Sequence, residues 1–271
     1  MMQRGAATMA DGRWCAPSAA RNPIPIELLG QARAFRDRLD HDSGSVRERI
    51  DGALLPLLQT VRSKPASEWL VREAGRRWEV ATQDEGRIAF WPPCLLDGAW
   101  TLGEDRAVPS QSRMVDWDAG DEESAITGFR IIATVARRTL TIDTSLTALA
   151  SVHALARRVQ RGGGTIAGAM VDTKDAWQWI SLCGDANGKN AKVERRPLLV
   201  PTVTGHWRGY VAAVDDADLG ATLAPVLRTW LHDDDIEDVG FCSDLAELRQ
   251  LGPWAEEAQP IMDRLMARLV R

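Results

Sequence analysis

Three residues in the middle of the chain, Asp143, Asp172 and Lys174, carry side chains suited to metal-assisted hydrolysis. Asp172-Thr-Lys174 closes one apolar run, 166–171, and Asp143 closes an earlier one, 140–142. Two carboxylates that converge can hold a divalent ion such as magnesium (Mg), with the lysine helping to polarise an attacking water. His206 suggests different chemistry. It opens an apolar segment with Arg208 on the same parity, so in a strand both would share a face and could contact an anion or act as acid and base. Each has a plainer alternative: helix capping for the two aspartates, solvent exposure for Lys174, and a water-facing strand edge for His206 and Arg208.

The spacing of Asp143 and Asp172-Thr-Lys174 resembles the acid-to-acid-x-lysine arrangement of restriction-type nucleases, over three residues only. That resemblance implies a metal-dependent hydrolase or nuclease. The helical crossover expected between the two aspartates departs from the adjacent strands of that arrangement. Other catalytic signatures are missing: no phosphate-cradling Gly-x-x-x-x-Gly-Lys, no Gly-x-Ser-x-Gly elbow and no His-Glu-x-x-His. Gly162-Gly163-Gly164 follows a predicted helix and precedes a predicted strand, the reverse of the order that cradles phosphate.

A net charge of -5 argues against a whole-surface nucleic-acid footprint. A compact basic patch, Lys189, Lys192, Arg195 and Arg196, could still follow a single-stranded backbone, with Trp177 and Trp179 near it to stack on bases. The acidic runs 116–123 and 233–238 suit a basic protein partner. With 11 tryptophans beside one tyrosine, exposed indoles could anchor such a partner. Trp117, Trp177, Trp207, Asp233, Asp234 and Asp235 are the residues expected at that interface. The leading expectation is therefore a non-enzymatic, cytoplasmic protein-interaction module, of a neutralising or immunity type, with no favoured catalytic set, metal or cofactor. Cys15, Cys94, Cys183 and Cys242 are too widely spaced for a zinc knuckle or Cys-x-x-Cys pair and read as reduced thiols. Neither a signal-peptide core nor an apolar run of membrane-spanning length is seen.

The elements that must position these residues centre on 126–171. Phe129, Ile131, Ala133 and Val135 alternate as in a strand; Leu140 and Ile142 continue on the opposite parity, which requires a turn or bulge at 136–138. A helix over 144–161 and a strand over 166–171 complete a hairpin-helix-strand unit. Helices are predicted at 26–39 and 45–61 as an antiparallel pair and a hairpin at 77–91 ended by Pro92-Pro93, while 95–120 has no clear period and reads as a long loop or short strands. Further on come strands at 197–204 and 206–214, a helix at 218–231, a short strand at 239–242 and a final helix at 260–270. The expected class is α+β (or mixed α/β), one mixed sheet with covering helices. Residues 1–24 are an irregular N-terminal segment and 25–271 a single α+β domain, with 25–64 as a helical-hairpin subdomain.

Overall fold

The computed structural model describes residues 9–10, 13–14, 23–39, 43–63, 67–84, 86–96, 98–109, 113–114, 125–136, 139–183, 196–216 and 220–269. A small hairpin, β1 (Met9–Ala10) with β2 (Arg13–Trp14), precedes α1 (Ile26–Arg38), α2 (Ser43–Ser63) and α3 (Glu68–Ala81). Five strands follow: β3 (Arg87–Leu96), β4 (Ala99–Pro109), β5 (Arg113–Met114), β6 (Ala125–Ala136) and β7 (Thr139–Ser151). Next are α4 (Val152–Gly162), α5 (Ile166–Val171) and a 3-10 helix, Ala176–Cys183. The chain ends with β8 (Arg196–Thr202), β9 (Gly205–Asp216), β10 (Gly220–His232), a 3-10 turn at Asp233–Asp235, α6 (Val239–Leu251) and α7 (Ala258–Leu269).

Among the described residues, eight strands make one sheet in the order β3-β4-β6-β7-β10-β9, with β5 and β8 sharing the outer edge of β9. Neighbouring strands are antiparallel except β7 and β10, which are parallel. The fold is α+β with a mixed sheet flanked by helices, and the β6–β7 hairpin leads straight into α4. Ala136 pairs with Thr139, so the parity change in the sequence is the hairpin turn.

Alternate residues of β6 sort the two faces of the sheet. Ile131, Ala133 and Val135 pack with Ile50, Leu54, Leu70 and Trp78 of α2 and α3. Ile126 joins a larger core with α1, α4, α5, α6 and α7, in which Phe35, Leu155, Met170, Leu245 and Leu265 meet. The expected α1–α2 pair is therefore not formed: α1 lies against α4, and α2 pairs with α3. A third cluster, including Phe129, Leu149, Tyr210 and Val226, contains described strand residues only.

Several segments differ from expectation, each for a local reason. Residues 68–81 are helical: Ser67 Oγ accepts from Leu70 N, and Leu70, Val71, Ala74 and Trp78 form one buried stripe. The strand β3 begins only at Arg87 and runs on through Pro92 and Pro93, tolerated because it pairs on one side only and its register shifts between Trp91 and Cys94. The strand β4 settles 99–109 as strand rather than loop; its period is hidden because Glu104, Asp105 and Arg106 interrupt the apolar pattern. The strand β7 continues to Ser151, whose Oγ accepts from Ala154 N at 3.0 Å and starts the helix. A bulge leaves Thr147 unpaired, putting Leu146 and Leu149 in one cluster three residues apart, the spacing of a helix. The same device acts in β10, where the shift at Arg228 places Leu227 and Trp230 in one cluster, so 220–232 is strand rather than helix. Residues 166–171 form α5, capped by Thr165, not a strand. Residues 239–242 are the first turn of α6, capped by Asp238.

The indole of Trp78 is fully buried between α3 and the sheet, whereas Trp69 on the same helix is 71% exposed. Trp78→Ala is expected to lower unfolding stability by about 3–5 kcal/mol in urea titrations, and Trp69→Ala to change it by less than about 0.5 kcal/mol.

Candidate functional site

The residues that suggested hydrolysis lie apart in role. Asp143 is exposed on β7, opposite Ile132 of β6. Asp172 follows α5, not a strand, and its Oδ2 accepts from Arg158 Nε at 2.7 Å. Lys174 Nζ sits 3.7 Å from Asp175. Among the described residues, no three His, Cys, Asp or Glu side chains gather as a metal site. The other expected residues fare unequally. Trp117, Lys189, Lys192 and Arg195 lie outside the described residues, and Arg196 opens β8 opposite Val211. Trp207 is wholly buried in the large core and offers no surface to a partner, a correction that follows from its inward parity beside Gly209 and Val211.

Trp177 belongs to an array that local patterning does not show. Arg130 of β6 stands directly opposite Asp105 of β4 and donates from Nε and Nη2 to its two carboxylate oxygens at 2.9 and 3.1 Å. A third bond runs from Arg130 Nη2 to Asp175 Oδ1 at 3.0 Å. The guanidinium lies 4.7 Å from the Trp91 ring centre and 5.7 Å from that of Trp177, which is 6.3 Å from Trp254. Burial pushes the Asp105 carboxyl above its ordinary range, against the pull of Arg130. This guanidinium, gripped by two carboxylates and two indoles, ties β4 and β6 to the 3-10 helix. Trp254, 69% exposed, and Asp175, with a side chain 42% exposed, carry the array to the surface.

The acidic turn Asp233–Asp235 is built more firmly than a solvated loop. Arg249 of α6 donates to both oxygens of Asp233 at 2.7 and 2.8 Å, and its Nη2 also reaches Gly205 O at 2.7 Å. Asp233 N donates to Thr204 O at 3.1 Å, which sets this turn beside the β8–β9 turn. Asp234, with a side chain 92% exposed, and the exposed Asp235 project from the clamped backbone. His232 Nδ1 accepts from Asp234 N at 3.2 Å and lies 3.4 Å from Asp234 Oδ2.

His206 and Arg208 do share a side of β9, as their spacing requires, but His206 faces no water: it is fully buried. Its Nε2 accepts from Arg208 Nε at 2.9 Å, and Phe241 of α6 lies 5.5 Å from its ring. Burial, followed by the charges of Arg208, Arg249 and Arg161, holds the imidazole well below its usual pKa. Burial and Arg161 likewise bring the Arg208 guanidinium down to about 10. An unprotonated buried imidazole beside three arginines is poorly placed as an acid and is held neutral as a hydrogen-bonding group.

No protein-family model, curated protein or solved structure matches the chain, so the site is read from its own geometry.

The sign of the His206 shift sets a pH dependence. Its folded pKa lies below the unfolded value, so the unfolded chain gains a proton first as pH falls through about 6.5, and native stability drops. Between about pH 6.5 and 5, this group is expected to remove up to about 1.4 kcal/mol per pH unit, a slope that His206→Gln should flatten in urea titrations at stepped pH.

Proposed function

We propose that this chain is a non-enzymatic protein-interaction module whose contact surface is the clamped acidic turn. The observation that carries the reading is the contrast within three consecutive residues: Asp233 is fixed by Arg249, while Asp234 and Asp235 stand exposed beside it. A turn already held in place loses little further entropy when a partner binds, and its exposed charges favour encounter with a basic surface. Val203 and Val239, 90% and 81% exposed, flank it through the adjoining β8–β9 turn and the first turn of α6. Apolar tips within an acidic rim suit a basic protein with a shallow apolar patch. A neutralising partner of a basic toxin is one concrete form of this reading. The hydrolase alternative has less support, since Asp172 is spent on Arg158 and the described residues bring no third carboxylate to Asp143.

The test is affinity capture from native cell extract with wild type and with Asp234→Lys/Asp235→Lys, two exposed changes that should leave folding intact. A basic protein retained by wild type, whose association slows with salt and weakens at least about tenfold toward the reversed turn, is the expected result. Identical captures by both chains would refute the surface. Magnesium-dependent nuclease turnover lost in Asp172→Asn would transfer the assignment to the hydrolase reading.

A further inference from the structure

The strand β7 sits between β6 and β10 in the strand order, yet half of it is bordered on one side only. It pairs with β6 along its whole length, from Thr139 to Ser151. On its other side β10 meets it at Leu149 and Ala150, and among the described residues nothing pairs with that side over 139–145. Alternate residues of an antiparallel strand turn N–H and C=O away from the paired neighbour. The stretch therefore presents a row of backbone donors and acceptors to its open side. It contains no proline, and Thr139, Thr141, Ile142 and Thr144 are β-branched, so nothing in its sequence opposes a further strand.

The two faces beside this edge differ in chemistry. Leu140 and Ile142 lie half-buried on the side of α2 and α3. Leu140 also lines a hollow, apolar throughout, with Leu54 and Leu57 of α2 and Leu70 of α3. Thr139, Thr141, Asp143 and Ser145 stand exposed on the opposite face. Asp143 enters no hydrogen bond or ion pair among the described residues, so its charge is unspent.

We infer that the open edge of β7 over 139–145 binds an extended peptide segment as an added strand, with β-branched apolar residues alternating with residues that include lysine or arginine. Main-chain bonds along the edge supply affinity, and the period of two supplies specificity. One set of the segment's side chains falls beside Leu140 and Ile142; the other passes Asp143, where a cation is favoured. A second copy fits less well. Antiparallel pairing of two such stretches about Ile142 sets Asp143 diagonal to its own counterpart, like charge beside like charge. The edge lies on a different strand from the proposed contact at Asp234, so either can fail alone.

Fluorescence anisotropy of the labelled peptide Lys-Val-Thr-Val-Lys-Val-Thr with the full chain tests this. Saturable binding by wild type is expected. N-methylation of alternate peptide residues separates strand addition from other contacts: one set should abolish binding, and the other, whose N–H groups face away from β7, should leave it. Asp143→Lys, an exposed change, should weaken binding at least about tenfold and favour Glu-Val-Thr-Val-Glu-Val-Thr instead. Asp234→Lys/Asp235→Lys should leave the affinity unchanged. Absence of saturable binding by wild type, equal effects of the two methylated sets, or an affinity unaltered by Asp143→Lys would overturn the inference. Sedimentation showing a dimer of the chain that the peptide dissolves would give the edge to a second copy and overturn it equally.

Discussion

The sheet is continuous because of one short parallel contact. The strands β3, β4, β6 and β7 form one antiparallel series and β8, β9 and β10 another; they join where Leu149 pairs with Val226 and Ala150 with Leu227. Those two register pairs serve opposite faces. Leu149 and Val226 belong to the strand-only cluster, while Ala150 and Leu227 belong to the large helical core. A one-residue slip would exchange the faces, so both cores fix the register together. Just beyond the contact β7 turns into α4 and β10 into the acidic turn, so Arg161 of α4 reaches Trp230 O and Arg249 of α6 reaches Gly205 O there.

Charge inside the sheet is handled strand by strand. Asp105 of β4 points to the side of Arg130, while its neighbours Glu104 and Arg106 point to the other side, beneath α3. Glu104 accepts from Thr82 Oγ1 at 2.7 Å and from Arg87 Nε at 3.3 Å, and Arg106 donates to Thr82 O at 2.7 Å and to Asp84. Burial raises the Asp84 carboxyl, but the hydrogen bond and charge of Arg106, with help from Gly86 N and Arg49, outweigh it and hold the group low. Paired buried charges add little net stability compared with apolar residues, yet each is costly if its partner is displaced. Their effect is to allow few alternative pairings of β3, β4 and β6.

What the sequence shows depends on where the deciding contact lies. The β6–β7 hairpin was legible because strict alternation and a parity change are local. So were α1, α7 and the cap glycines after α4, where Gly163 and Gly164 take φ of 69° and 87°. The two bulged strands look helical in sequence because a register shift at Thr147 or Arg228 converts period two into helical spacing over a few residues. The three charged residues inside β4 concealed a strand, since their partners Thr82, Arg87 and Arg130 come from other elements. At the candidate sites, the shared side of His206 and Arg208 followed from parity, whereas burial of the imidazole did not. The array of Asp105, Arg130, Asp175 and Trp177 left no local trace, because its members are 25 and 45 residues apart and meet only through the sheet.

The prolines that interrupt the outer strands bear on how copies of the chain behave at high concentration. Pro92 and Pro93 lie in β3, and Pro197 and Pro201 in β8, each strand paired on one side only. A strand lacking N–H groups at two positions is a poor template for an added strand. Among the described residues, β3 at one border and β8, beside β5, at the other are thereby poor templates for edge-to-edge growth, which raises a barrier to fibrous self-association.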